Sequence, residues 1–160
     1  LEIDPEGGVR TELAPVTISN GLGFAPDGRS AYYVDSPTGR IDRLLWSAGT
    51  GLHTRRPWVR LADAGASSGA YDGLAVDADG GVWVALYGGG AVHRYDERGR
   101  LDVVVELPVR QPTAVAFDGP DLLVTTSRHG LGDAAEPAAG ALFRIPATGT
   151  TGAPVHEYAG

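Results

Sequence analysis

The stretch Tyr71-Asp72-Gly73-Leu74-Ala75-Val76-Asp77-Ala78-Asp79-Gly80-Gly81-Val82-Trp83-Val84-Ala85 decides the fold. An acid and a glycine open it, a short apolar run follows, and an Asp-Gly pair reverses the chain into a second alternating run. This pattern predicts a β-hairpin. Leu74 and Val76 share one face, Asp79-Gly80 makes the turn, and Val82 and Val84 return. A near-copy lies upstream in Ile18-Ser19-Asn20-Gly21-Leu22-Gly23-Phe24-Ala25-Pro26-Asp27-Gly28, with Asn20 where Asp72 stands.

Working outward, the two copies keep a spacing of 52 residues, from Asn20 to Asp72 and from Asp27 to Asp79. A third, worn copy begins at Pro112-Thr113-Ala114-Val115-Ala116-Phe117, turns at Gly119-Pro120-Asp121 and returns as Leu122-Leu123-Val124-Thr125. Each copy continues through a glycine-containing loop into a third strand: Arg40 to Leu45, Ala91 to Tyr95 and Ala141 to Ile145. A fourth strand closes the unit, as Leu101 to Leu107 does after Asp96-Glu97-Arg98-Gly99. Four strands in about 40–50 residues is the spacing of a β-propeller blade.

The expected fold is therefore all-β, a partial β-propeller over residues 1–160. Residues 1–13 read as the remnant of a preceding blade, and 18–61, 71–107 and 112–158 as three blades, with Val155 to Tyr158 as the last outer strand. No convincing helix emerges, because 24 glycines and 11 prolines interrupt the chain; the best candidate, Leu61 to Ala66, is short. The opening at Leu1-Glu2-Ile3 and the absence of methionine read as a cut N-terminus.

Composition narrows the partners. All 13 basic residues are arginine and the net charge is −7, so a phosphate-backbone partner is not expected. There is no cysteine, which rules out disulfides and thiolate metal sites. No apolar run approaches the ~18–20 residues of a membrane span.

The chemistry is carried by Asn20 and Asp72. Both are expected just ahead of the innermost strand of their blades, where symmetry about an axis makes them neighbours. An amide carbonyl and a carboxylate are hard oxygen donors suited to Ca²⁺, Mg²⁺ or Mn²⁺, with Zn²⁺ possible at a mixed site. Asn-Gly and Asp-Gly are equally the commonest turn pairs, because these residues tolerate left-handed backbone. Thr113 holds the third equivalent position and is expected to line the channel. Of the four histidines, His129, after Ser127-Arg128, is the candidate for substrate contact. Asp27 and Asp79 read as turn residues, Asp35 and Asp77 as partners of blade backbone, and Trp46, Trp58 and Trp83 as packing.

Ile18 to Leu22, Ala25 to Gly28 and Tyr33-Val34-Asp35-Ser36-Pro37-Thr38-Gly39-Arg40-Ile41 together resemble the gluconolactonase family that includes senescence marker protein 30 (regucalcin). The segments Asp72 to Asp77, Trp83 to Ala85, Gly88 to Tyr95, Pro112 to Phe117 and Thr125 to Arg128 extend the resemblance over nearly the whole chain. It implies the C-terminal half of a six-bladed propeller and a metal-dependent hydrolase of sugar lactones. Asn20 and Asp72 match two of the family's three metal ligands; the third, a glutamate, and the main substrate contacts would lie upstream of Leu1. On this reading the metal polarises the lactone carbonyl and Asp72 acts as catalytic base toward water. The implied partner is a sugar lactone, with neither nucleic acid nor membrane, and the expected location is the cytoplasm. Homodimerisation, or pairing with a missing N-terminal half, would cover the end blades. The alternatives are a non-catalytic calcium-binding or protein-interaction propeller and a paraoxonase-like or strictosidine-synthase-like enzyme.

Overall fold

The computed structural model describes residues 2–3, 8–65 and 68–154. Strands β1 (Glu2–Ile3) and β2 (Val9–Arg10) pair antiparallel ahead of three larger sheets. β3 (Ser19–Phe24), β4 (Ser30–Asp35), β5 (Arg40–Ser47) and β6 (Gly51–Arg60) form the first blade, in chain order. The second contains β7 (Ala70–Val76), β8 (Val82–Tyr87), β9 (Ala91–Tyr95) and β10 (Leu101–Glu106). The third contains β11 (Pro112–Asp118), β12 (Asp121–Thr126) and β13 (Leu142–Ile145). All pairings are antiparallel.

Helix is confined among the described residues to three single 3-10 turns, at Ser36–Thr38, Leu61–Ala64 and Gly132–Ala134. The turn at Leu61 goes no further because Gly65 adopts φ +70° and reverses the chain. The expected last strand, Val155 to Tyr158, lies outside the described residues. Just before it the chain turns back to the second blade: Ala78 N–H donates to Thr151 O and Ala153 N–H to Val76 O, while Gly152 bridges Asp77.

The blades meet face to face, innermost strands together, with β7 between β3 and β11. This is propeller packing, each sheet covering the next around a common axis. Alternation along β8 serves both interfaces. Val82, Val84 and Leu86 enter a core with Tyr32, Val34, Ile41 and Leu74 of the first two blades. Trp83 and Ala85 point the other way, into a core with Val115, Leu122 and Val124 of the third. Burying a side chain of this size contributes about 1.5–3 kcal/mol, so the middle blade anchors the whole. Within the expected hairpin, Leu74 pairs with Val84 and Val76 with Val82.

The reversal between β7 and β8 is longer than a two-residue turn. It runs from Asp77 to Gly81, with Gly80 at φ +81°. Asp77 organises it: its buried carboxylate accepts from Asp79 N, Gly81 N, Trp83 Nε1 and Arg94 Nε at 2.7–3.0 Å. Four donors around one buried carboxylate satisfy its lone pairs and offset its desolvation. In the first blade Asp27 closes the equivalent turn through Arg29 N, Ser30 N and Ser30 Oγ.

The other packing expectations are met by specific contacts. Asp35 accepts from the backbone of Thr17 and Ile18. Trp83 meets Phe117 edge-on, Trp58 packs against Tyr32 at 4.4 Å, and Trp46 lies edge-on to Phe24.

Candidate metal and substrate site

Each inner strand carries one residue more than its partner, at the same place. Ser19 pairs with Asp35 but Leu22 with Tyr33; Tyr71 pairs with Leu86 but Leu74 with Val84; Pro112 pairs with Thr126 but Ala114 with Thr125. These are β-bulges, which re-aim a side chain without ending the strand. They contain Asn20-Gly21, Asp72-Gly73 and Thr113. Asn20 and Asp72 thus lie within β3 and β7, not just ahead of them as the sequence pattern suggested. A bulge reads as a strand start, because its polar residue breaks the alternation.

The glycines bring the bulges together. A β-carbon on Gly21 would lie 2.6 Å from Leu74 N and 2.7 Å from Asp72 O; one on Gly73 would lie 2.9 Å from Thr113 O. Neither glycine has a positive φ, so they serve close approach of strands and not left-handed turns. With no side chain between them, the motifs of adjacent blades touch.

Asn20 is held on one side. Its Nδ2 donates to Ser36 Oγ at 3.0 Å, and Ser36 Oγ donates to Tyr71 O at 2.8 Å, so one serine ties Asn20 to the residue before Asp72. Burial pushes the Asp72 carboxyl above the usual carboxylate range; the neighbouring Asn20 amide and the Gly73 N–H oppose this only in part. Among the described residues Asp72 also lacks a cationic partner. Asp42 and Asp77 are paired with arginine, but no ion pair between described residues includes Asp72. A half-buried carboxylate beside an amide, with no counter-charge, is a donor set that fits a hard divalent cation. The fit is partial: no group of three or more His, Cys, Asp or Glu able to hold a metal occurs among the described residues.

Thr113, on the strand next to Asp72, has its Oγ1 2.7 Å from Thr125 Oγ1. His129 is set apart in an exposed loop, its backbone N–H on Ser127 Oγ. That loop is clamped by a residue the sequence did not single out. With its amide oxygen turned toward Tyr87, the orientation that satisfies both ends, the Gln111 side chain donates to Ser127 O and His129 O, both at 3.2 Å, and accepts from Tyr87 OH at 3.0 Å. Gln111 thereby joins the second blade to the third. Ser36 was also unmarked, since nothing in Asp35-Ser36-Pro37 signals a partner on another blade. His93 is elsewhere: burial holds its imidazole below the ordinary range, and Nδ1 lies 3.2 Å from Tyr95 OH.

Blades stacked on one another, with the oxygen-bearing side chains of Asn20 and Asp72 on bulges of adjacent inner strands, define the class: a β-propeller with a candidate cation site. The chain belongs to the SMP-30/gluconolactonase/LRE-like family, whose family model matches residues 1–128. It is 35% identical over 164 residues to regucalcin of Oryctolagus cuniculus, covering 98% of this chain and 54% of that protein. It is 38% identical over 155 residues to an L-arabinolactonase of Azospirillum brasilense, covering 94% and 50%. Among solved structures it is similar to a calcium-binding protein, regucalcin, from Agrobacterium tumefaciens, with TM-score 0.80 and 35% identity over 95% of this chain and 52% of that one. The chain spans about half the length of these relatives, which accords with three blades of a six-bladed ring. No helix among the described residues is long and apolar enough to cross a membrane.

Proposed function

We propose that the chain carries part of the active site of a sugar-lactone hydrolase. The observation behind this reading is the Asn20–Asp72 pair, two oxygen donors on adjacent bulges with no arginine to neutralise the acid. Asn20 and Asp72 would hold a divalent cation, Ca²⁺, Mg²⁺, Mn²⁺ or Zn²⁺. Bound there, the cation supplies Lewis-acid polarisation of the lactone carbonyl. Asp72, kept ionised in that setting, accepts at a carboxylate oxygen the proton of the attacking water. Ser36 fixes the Asn20 amide, so the donor pair does not reorganise on binding. Thr113 would line the substrate side, and His129, in the loop held by Gln111, would contact the substrate. The lactonase name of the Azospirillum relative supports the substrate class.

The test is hydrolysis of glucono-δ-lactone by the purified chain with added divalent cation. The expected result is turnover that EDTA and Asp72→Ala abolish. Turnover that survives Asp72→Ala would refute the role given to this residue. The incomplete donor set among the described residues also favours a second reading, a calcium-binding propeller without turnover, in line with the calcium-binding regucalcin of Agrobacterium tumefaciens. Cation binding with no hydrolysis of any sugar lactone by the full-length protein would select it.

A further inference from the structure

A cleft opens over the outer strands of the second blade. It measures about 650 Å³, within the range of about 300–1,000 Å³ that small-molecule sites occupy. The register sets Leu86, Ala91 and Glu106 in one row across β8, β9 and β10, with His93 beside Val104 in the next row. All five share a face and line the cleft. Its end wall is the Gly88-Gly89-Gly90 loop. That wall is fixed in place: Gly89 N–H donates to Leu86 O, Gly90 N–H to Arg110 O and Leu107 N–H to Gly90 O. Asn20 and Asp72, on inner strands, do not line it.

His93 is 5% exposed, and the hydrogen bonds behind it fix its tautomer. Tyr71 OH lies 2.6 Å from Tyr95 OH, which lies 3.2 Å from His93 Nδ1, and both phenols are buried. Tyr71 OH has no other partner among the described residues, so its proton goes to the Tyr95 oxygen. Tyr95 O–H then donates to Nδ1, and the imidazole proton sits on Nε2. Any other order leaves a buried phenol proton without an acceptor. Burial, which holds the imidazole below its ordinary range, keeps the ring neutral. Nε2 itself has no hydrogen-bond partner among the described residues, so it offers the cleft an unused N–H.

We infer that this cleft binds a neutral polyhydroxylated ring of monosaccharide size, His93 Nε2–H donating to one hydroxyl and the Glu106 carboxylate accepting from another. A metal ion would need the Nε2 lone pair, which the tyrosine relay replaces with a proton. An anion would meet Glu106, and the Arg110 guanidinium is already engaged by Glu136 Oε1 and Ala134 O. An amine cation offers no acceptor to Nε2–H. A hydroxyl is donor and acceptor at once and suits both groups. Val104, 50% exposed beside them, gives the C–H face of a ring an apolar surface. No residue given a role in lactone hydrolysis takes part, so a failed lactone assay leaves this site untouched.

NMR of the ¹⁵N-histidine-labelled protein tests it, with D-glucose, D-galactose and D-xylose as probes. At neutral pH His93 should show the Nε2–H tautomer, and at least one sugar should shift its Nε2 resonance saturably. Glu106→Ala, at an exposed position and so compatible with folding, should weaken that binding by about tenfold. Asp72→Asn should leave it unchanged. An Nδ1–H tautomer, no saturable shift with any of these sugars, or a response indifferent to Glu106→Ala would overturn the inference. Loss of the response in Asp72→Asn would also overturn it and move the sugar to the inner-strand pair. A shift produced by putrescine and by none of the sugars would make the cleft a cation site instead.

Discussion

Gly73 lies so close to Ala114 that a β-carbon on it would be 2.6 Å from the Ala114 β-carbon and 2.8 Å from its Cα. The inner strands of the second and third blades touch backbone to backbone at this point, and Asp72 takes its position from that contact. Gly73→Ala should therefore force β7 and β11 apart. The expected cost is about 1–3 kcal/mol of overpacking. Gly28→Ala is the control: a β-carbon there meets nothing within 4 Å, and its φ of +64° alone adds about 1 kcal/mol of backbone strain. Urea denaturation of the two variants should separate them in that order.

Asp77 predicts a larger loss. Asp77→Ala would leave Arg94 and the Trp83 indole without their shared acceptor in a buried setting. Removing one partner of a buried pair costs about 3–5 kcal/mol. The near-UV circular dichroism of Trp83 and the urea midpoint should both report it. Asp79→Ala, at the exposed tip of the same turn, should change the midpoint little.

Cation binding at Asn20 and Asp72 has a readout independent of turnover. A divalent cation that binds the folded chain alone raises its melting temperature with concentration, by about 2.7 kcal/mol of stability at a hundred times the dissociation constant. Thermal unfolding with and without CaCl₂ or MnCl₂ should show this shift in the wild type and not in Asp72→Asn. Equal shifts in both would place the cation elsewhere.

His93 gives the pH prediction. Burial depresses its pKa below 6.5, so in the interval between the folded pKa and 6.5 the unfolded chain binds a proton that the folded chain does not. Stability must fall as pH drops through that interval, by at most about 1.4 kcal/mol per pH unit. Tyr95 OH faces Nδ1, and Tyr71 OH lies 2.6 Å beyond it; Glu106, on the adjacent strand, lines the same cleft. Urea midpoints at pH 7 and pH 5.5 should diverge more for the wild type than for His93→Gln.

Much of the fold was legible because hairpins announce themselves locally. The alternation around Leu74, Val76, Val82 and Val84 and the recurrence of Asn20 as Asp72 were enough to place blades in order. The bulges were not legible, since a polar residue inside an inner strand looks like one in front of it. Gly21 and Gly73 resemble turn glycines in sequence; only the neighbouring strand reveals that they make room. Ser36 and Gln111 stayed hidden for a related reason. Their partners, Tyr71 and Tyr87, are on another blade, and no local pattern encodes that meeting.

Strand β8 has a consequence for how the molecule comes apart. Its consecutive residues belong to different cores, Val82 to one and Trp83 to the other, so neither interface can loosen without tilting the side chains that hold its neighbour. Stacked repeats that touch through independent surfaces can fray one at a time. Here a six-residue partition wall is shared by both rooms, and the three blades should melt together, in a single cooperative transition.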